Sequence, residues 1–156
     1  MRVLAFDPGF ERLGVAVLEK QNGKDILLHS DCIRTDPVLP FPNRLQLLGD
    51  ATVELLKKWK PTAFALEDLY FAKNAKTAMH VAEVRGMLIY LGAADAVPIF
   101  QYTPLQVKVA ITGYGKSDKS AVAMMVGRLV SLPARKRLDD ELDAIAVGLT
   151  CLASMR

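Results

Sequence analysis

The first third of the chain alternates short apolar runs with turn signals. Residues 3–6 are apolar and stop at the Asp-Pro-Gly sequence of residues 7–9, and residues 14–18 resume an alternating apolar pattern. This pattern predicts a β-hairpin. Asn22-Gly23 favours a tight turn, and residues 26–33 after it are strand-like. We therefore expect three antiparallel strands at the start of the chain.

Helical and strand patterns alternate through the next part of the chain. Apolar residues recur at helical spacing over residues 43–59 and again over residues 73–91. Residues 63–67 are apolar on both faces until Glu67, as expected of a central strand covered by helices. Residues 97–102 are predicted to form the fifth strand.

Capping signals predict three further helices with no strand between them. The N-cap candidates, in chain order, are Thr103, Ser117 or Asp118, and Asp139 or Asp140. Pro104 supplies the first-turn proline of the earliest of these helices. The second is expected to run to Val130 and the last through Leu152.

The predicted order β-β-β-α-β-α-β-α-α-α is that of a ribonuclease-H-like α/β fold. A meander of three antiparallel strands is followed by crossovers that must add two parallel strands beside the first one. We expect a mixed five-stranded sheet with helices on both faces. The length of 156 residues, 51% of them hydrophobic, favours a single domain over residues 1–156.

Net charge, cysteine content and apolar runs only slightly limit the possible binding partners and cellular location of the protein. A formal charge of +3 and a pI near 8.9 suit an anionic partner but fall far below those of a histone-like binder. Cys32 and Cys151 match neither a disulfide framework nor a zinc spacing, which favours a reducing cytosol. The apolar start meets its Asp-Pro-Gly turn too soon for a signal peptide, and no apolar run approaches a membrane span. We expect a cytoplasmic protein.

Four acidic residues stand at positions where the predicted fold brings elements together. Asp7 ends the first strand and Glu67 ends the fourth, so both carboxylates are expected at the same edge of the sheet. Asp140 and Asp143 are three residues apart at the start of the last helix and share one face. The sequence therefore predicts a cluster of four carboxylates.

A cluster of carboxylates favours divalent cations. The acids repel one another and their pKa values rise unless positive charge arrives, and Mg²⁺ or Mn²⁺ prefer oxygen ligands. Two such ions, roughly 3.5 to 4 Å apart, activate a water and stabilise the leaving 3′ oxygen of a phosphodiester. Hydrolysis of that kind leaves a 5′ phosphate.

Each acid also has an ordinary structural interpretation. Asp-Pro-Gly is a good turn, and acids near a helix N-terminus are favoured by the helix dipole. A charged residue that ends a buried strand, as Glu67 does, needs a partner, which a nearby lysine also supplies.

Aromatic and basic residues near these acids suit a nucleic acid. Tyr70 follows Glu67 in a short loop where an aromatic ring can stack on an unpaired base, although packing under the loop is the alternative. Lys119 falls in the first turn of a helix, where backbone amides also favour a phosphate. Further candidate phosphate contacts are Lys108, Lys116 and the run Arg135-Lys136-Arg137, although surface lysines are usually only solvated.

The ordered motifs resemble those of RuvC-type Holliday junction resolvases from end to end. The matching segments are Phe6-Asp7-Pro8-Gly9 with Arg12-Leu13-Gly14, Cys32-Ile33-Arg34-Thr35, Leu66-Glu67, Ala72-Lys73-Asn74-Ala75, Gln106-Val107-Lys108, Asp118-Lys119-Ser120 and Asp140-Glu141-Leu142-Asp143-Ala144-Ile145-Ala146. The resemblance implies that Asp7, Glu67, Asp140 and Asp143 hold two Mg²⁺ or Mn²⁺ ions and catalyse cutting. It assigns DNA contacts to basic residues and to the aromatic after the glutamate, here Tyr70 where phenylalanine is common. The DNA-binding candidates are Tyr70, Lys73, Lys108, Lys116 and Lys119.

The resemblance also implies an assembly. A homodimer binds the four-way junction of recombination and nicks two strands of like polarity symmetrically, leaving ends that a ligase can seal, and a branch-migration motor is its partner. The helix over residues 73–91 would supply much of the dimer contact, with Met79, Ala82, Met87 and Tyr90 among its apolar residues. The alternative is that this helical face only covers the sheet.

Three other functions remain in competition on the sequence alone. A ribonuclease-H-like nuclease that trims ribosomal RNA precursors shares the Asp-Pro-Gly strand and later carboxylates but fits the Lys73-Asn74 segment less well. Sugar-kinase and actin-like ATPases open with a similar hairpin but need two such domains. A junction-binding protein without catalysis has no need of four converging acids.

Overall fold

The sheet begins with a meander of three antiparallel strands, as predicted. Residues 1–68 and 75–155 are described by the computed structural model. The strands are β1 (Arg2–Asp7), β2 (Arg12–Gln21), β3 (Lys24–Arg34), β4 (Ala63–Glu67) and β5 (Ile99–Tyr102). The helices are α1 (Phe41–Trp59), α2 (Ala75–Ala94), α3 (Pro104–Thr112), α4 (Lys119–Leu129) and α5 (Asp139–Ser154).

The five strands lie in the order β3-β2-β1-β4-β5. β1 pairs antiparallel with β2 and parallel with β4, and β4 pairs parallel with β5. The predicted ribonuclease-H-like topology, with three antiparallel and then two parallel strands, is thereby confirmed. Because β1 and β4 run in the same direction, their carboxyl ends meet at one edge.

Alternate side chains of the central strands belong to two hydrophobic cores, one on each face of the sheet. On one face, Val3, Ala5 and Ala65 pack against α3, α4 and α5. On the other face, Phe6 and Phe64 pack against α1 and α2. Strand residues with even and odd numbers thus point to opposite sides, as the pleat of a strand requires. The prediction of helices on both faces is correct.

Turn and capping residues explain most of the element boundaries. Asn22 and Gly23 both have positive φ, at 51° and 78°, as a tight hairpin turn requires. Thr103 forms a complete capping box with Gln106, and Asp118 caps α4 by accepting a hydrogen bond from the amide of Ala121. Of the predicted alternatives Ser117 and Asp118, the cap is therefore Asp118.

The predicted N-cap of α5 and the predicted start of β5 are wrong. The N-cap of α5 is Leu138, whose side chain makes no capping hydrogen bond, so Asp139 and Asp140 lie inside the first turn. The fifth strand begins at Ile99 because the amide of Val97 still donates to the carbonyl of Gly92 at the end of α2. In the described part of the chain, no helix has the length and apolar character needed to cross a membrane.

Candidate active site

The register of the sheet brings Asp7 and Glu67 together. Phe6 pairs with Leu66 across the parallel strands β1 and β4, and Asp7 and Glu67 are the next residues along. Both side chains point to the face covered by α5, because they continue the series of Val3, Ala5 and Ala65. Their carboxyls are close enough to share a hydrogen bond.

A glycine in β2 lets α5 approach this edge closely. Gly14 pairs with Asp7 across the hairpin, and a Cβ at position 14 would overlap the carbonyl oxygen of Asp140. The same added atom would lie 3.2 Å from the Cβ of Asp7. The absence of a side chain at Gly14 is therefore what places the first turn of α5 against the end of β1.

The first turns of α5 add the other two acids, each held by a cation. Arg12 Nε lies 3.3 Å from Asp140 Oδ2, and Lys119 Nζ donates to Asp143 Oδ2 over 3.2 Å. Asp140 and Asp143 both contribute to the negative potential at Asp7, so the four acids form one electrostatic cluster. The predicted grouping of Asp7, Glu67, Asp140 and Asp143 is present in the structure.

Burial and mutual repulsion change the acidity of the cluster. Burial, followed by the charges of Glu67, Asp143 and Asp140, raises the pKa of Asp7 from 3.8 to about 8. Burial and the charge of Asp143 also raise the pKa of Glu67. At neutral pH and without a cation, Asp7 therefore holds a proton that it shares with Glu67.

Two lysines moderate this repulsion. Burial raises the pKa of Asp143, while the ammonium of Lys119 opposes that rise. Lys119 and Lys108 also counteract the rise in the pKa of Glu67. Conversely, the carboxylate of Asp143 raises the pKa of Lys119 and keeps it charged.

A cavity of about 280 Å³ opens beside the acids. It is lined by Glu67 and Asp143 together with Lys108 and Lys119, and its remaining wall is Pro104, Val107 and Val122. Paired carboxylates facing paired ammonium groups suit a ligand that carries both a cation and a phosphate. Lys108 and Lys119, two of the lysines predicted as phosphate contacts, thus lie beside the acids.

The donor chemistry of the cluster fits a divalent metal ion. Carboxylate oxygens are the ligands that Mg²⁺ and Mn²⁺ prefer. Asp140 Oδ2 is also buried without a hydrogen-bond partner among the described residues. Within residues 1–68 and 75–155, however, no three acidic, histidine or cysteine side chains form a ready-made ligand set. Asp140 and Asp143 are each paired with a cation, Arg12 and Lys119 respectively, and a bound ion would compete with those two contacts.

Of the remaining DNA-binding candidates, the structure describes only Lys116. Lys116 is exposed in the loop between α3 and α4. Tyr70 and Lys73 lie outside the described residues. Asp68, next to Glu67, points away from the cluster and pairs with Arg85 at 3.0 Å.

Sequence reasoning missed the cation that holds Asp140. Arg12 begins β2 two residues before Gly14, so the hairpin register places it beside the same edge. That register follows from the Asp-Pro-Gly turn, but the position of α5 above it depends on a contact 128 residues away in the chain. The motif Arg12-Leu13-Gly14 was the only available signal.

Comparison with known proteins covers nearly the whole chain. Residues 3–151 match the model of the family described as Crossover junction endodeoxyribonuclease RuvC. A relative of that description from Thermosipho melanesiensis is 42% identical over 153 residues, which are 98% of this chain and 97% of the relative. One from Desulforamulus reducens is 40% identical over 149 residues, which are 96% of this chain and 91% of the relative.

Solved structures agree with the sequence match. The structure of T. thermophilus RuvC in complex with Holliday junction substrate superposes with a TM-score of 0.93 at 32% identity, covering 100% of this chain and 95% of that one. The resemblance stated from the motifs is therefore confirmed. The chain belongs to the RuvC family of crossover junction endodeoxyribonucleases, which are divalent-metal-dependent nucleases.

Proposed function

We propose that this protein resolves four-way DNA junctions by paired, symmetric nicks that leave 5′ phosphates. The observation that supports this best is the cluster of Asp7, Glu67, Asp140 and Asp143 beside two lysines, in a chain that belongs to the RuvC family. The substrate is the one named for the T. thermophilus relative, a Holliday junction.

The four acids are proposed to hold two Mg²⁺ or Mn²⁺ ions. When bound, the ions supply Lewis-acid stabilisation of the charge that develops on the phosphate and on the leaving 3′ oxygen. Asp7 must give up its proton before it serves as a ligand, because burial and its neighbours hold its pKa at about 8. Arg12 and Lys119 offset the charge of Asp140 and Asp143 until that point.

The lysines are proposed to hold the DNA. Lys108 and Lys119 line the cavity next to Glu67 and Asp143, so they are placed to contact the phosphate that is cut. Lys119 would then exchange Asp143 for a phosphate oxygen, which is the stronger partner once Asp143 binds a cation. Lys116, Lys73 and Tyr70 are proposed as contacts further along the DNA.

The exposed face of α2 is proposed as the contact of a homodimer. Met79 and Tyr90 are 64% and 70% exposed, and Ala82 lies between them on the same side of the helix. Met87, in contrast, packs into the core against α1 and close to Gly49. Large apolar side chains left in water along one helix favour a protein partner over a role in covering the sheet. Two copies would place two active sites on one junction, as paired nicks require.

The remaining expectations extend this proposal. We take residues 1–156 as one nuclease domain, because both hydrophobic clusters lie on the faces of a single sheet. The protein is proposed to act in the cytoplasm on four-way junction DNA, with a branch-migration motor as its partner.

Cutting of defined nucleic acids tests the proposal. The purified protein is incubated with an end-labelled four-way DNA junction, a linear DNA duplex or an RNA stem, each in Mg²⁺, Mn²⁺ or chelator. An Asp7→Asn variant is the matched control, because it keeps the shape of the side chain and removes its charge. We expect metal-dependent nicks in two strands of like polarity in the four-way junction. The linear duplex and the RNA stem should stay intact, and the variant should nick none of the three.

Other results would point to the competing functions. Cutting of the RNA stem with the DNA junction left intact would indicate an RNA-processing nuclease. Tight junction binding without cutting in either metal would indicate a junction-binding protein. Either result would refute the proposed reaction.

A further inference from the structure

A second basic cleft lies on the opposite side of the acids from Lys108 and Lys119. It has a volume of about 390 Å³ and is formed by the end of β3, the segment between α4 and α5, and the first turn of α5. Its lining residues are Asp31, Cys32, Arg34, Arg135, Lys136, Arg137, Leu138 and Glu141. Four cationic side chains face two acidic ones across this cleft.

One buried carboxylate builds the wall of the cleft. The side chain of Glu141 is 3% exposed and accepts hydrogen bonds from Arg135, one of them over 3.1 Å to Oε2. Arg137 Nε lies 3.3 Å from the same carboxylate, and Arg135 also donates to the carbonyl of Ser30 over 2.9 Å. The buried carboxylate of Glu141 pairs with both arginines, and Arg135 also binds Ser30 of β3. These contacts hold the segment before α5 against β3.

Only part of the positive charge in this cleft is paired with acids. Arg135 and Arg137 both pair with Glu141, and Arg137 Nη1 also donates to the carbonyl of Pro133 over 2.8 Å. Arg34 and Lys136 are exposed and enter no salt bridge within residues 1–68 and 75–155. The opposing charge of Asp31 is partly engaged, since its Oδ1 accepts the amide of Cys32 over 2.7 Å.

Two arginines stand directly opposite each other where the cleft meets the active site. Arg12 pairs with Arg34 across β2 and β3. Like charges in that position destabilise a sheet unless an anion lies between them. Arg12 already contacts Asp140, which is next to Glu141 in α5, so this arginine pair joins the acids to the cleft. Arg34 itself forms no salt bridge with the described residues.

We propose that this cleft binds the phosphodiester backbone of the junction strand beyond the cut phosphate, with Arg34 and Lys136 as phosphate contacts. The inference rests on the proposed function, because it assumes that DNA lies over the four acids. The phosphates of each strand recur every ~3.4 Å along the axis of a duplex, so a strand at the acids brings its next phosphates towards Arg12 and Arg34. The DNA would then be held on both sides of the site.

Salt dependence of junction binding tests this assignment. Affinity for a four-way junction is measured over a range of salt concentrations, with Ca²⁺ in place of Mg²⁺, for the wild type and for Arg34→Ala/Lys136→Ala. The slope of log K against log salt concentration is negative, and each lost phosphate contact makes it shallower by ~0.9. We expect the slope of the double variant to be shallower by about 2 and its affinity for the junction to be lower.

The matched control removes two positive charges elsewhere. Lys24 lies at the other end of β3 from Arg34, and Lys57 is exposed near the end of α1. Lys24→Ala/Lys57→Ala should keep the wild-type slope. Equal slopes in the two double variants would overturn the inference. If the wild type itself fails to bind the junction, the proposed function fails first, and the two failures are thus told apart.

A native cysteine provides a second measurement that needs no charge change. Cys32 lines the cleft, whereas Cys151 is a buried residue of α5 and serves as an internal control. Saturating junction DNA should slow alkylation of Cys32 by a maleimide severalfold, and Arg34→Ala/Lys136→Ala should reduce that protection. Alkylation of Cys32 at the same rate with and without bound junction would contradict the inference.

Discussion

Replacing Asp7 by asparagine should stabilise the metal-free protein at alkaline pH. Asp7 has a pKa of about 8 in the folded chain, against an ordinary value of 3.8 for an aspartate in the unfolded chain. Below pH 4 the side chain is protonated in both the folded and the unfolded state. Between these values the folded state binds a proton that the unfolded state has lost, so the free energy of unfolding falls as pH rises. The loss is complete above the folded pKa.

The size of the effect follows from the shift. A change of about 4 pKa units corresponds to about 6 kcal/mol at most. Asp7 shares its proton with Glu67, and water relaxes around the partly exposed site, so a smaller part belongs to Asp7 alone. We expect Asp7→Asn to raise the free energy of unfolding by about 2–4 kcal/mol at pH 8.5 and by less than about 0.5 kcal/mol at pH 4.

Urea unfolding in chelator across this pH range measures the prediction. Asp50→Asn is the control, since Asp50 is exposed on α1, and its substitution should change stability by less than about 0.5 kcal/mol at every pH. Added Mg²⁺ should stabilise the wild type more than Asp7→Asn, because a ligand stabilises only the state that binds it. An asparagine variant no more stable than the wild type at pH 8.5 would refute the reasoning.

Three further predictions concern the architecture of the site. Gly14→Ala should lower the free energy of unfolding by about 1–3 kcal/mol and abolish cutting, because the new Cβ overlaps the carbonyl oxygen of Asp140. Urea unfolding and junction cutting test this prediction. Gly127→Ala in α4 is the control, since its new atom makes only an ordinary van der Waals contact. Lys119→Met should move the acidic limb of the pH profile of single-turnover cutting to higher pH, because Lys119 opposes the raised pKa of Asp143 and Glu67, and an unmoved limb would contradict this. Tyr90→Arg should lower the mass found by sedimentation to that of one chain; an unchanged dimer would mean that α2 is not the contact.

Most of the fold follows from local patterns. The alternating apolar residues of the first strands and the Asn22-Gly23 turn predicted the meander, and the continuous apolar run before Glu67 predicted a buried central strand. Boundaries failed where long-range packing decides them. Leu138 is the N-cap of α5 although two aspartates follow it. Asp140 instead pairs with Arg12, and Glu141 pairs with Arg135.

The candidate site was predictable in part for the same reason. Asp7 and Glu67 each end a strand, and parallel pairing brings strand ends together. The contacts of Asp140 with Arg12 and of Glu141 with Arg135 could not be predicted, because they depend on how α5 packs against the sheet at Gly14. The raised pKa of Asp7 likewise requires burial that no single segment determines.

Single-turnover cutting of a four-way junction by acid-to-amide variants tests the central claim most directly. The wild type is compared with Asp7→Asn, Glu67→Gln, Asp140→Asn and Asp143→Asn at protein concentrations that saturate the junction, in Mg²⁺ and in Mn²⁺. The account predicts that each variant still binds the junction and cuts it at least about a hundredfold more slowly, since each removes one carboxylate of a single site. A variant that binds and cuts as fast as the wild type would contradict the assignment of that residue, and unimpaired cutting by Asp7→Asn would contradict the account as a whole.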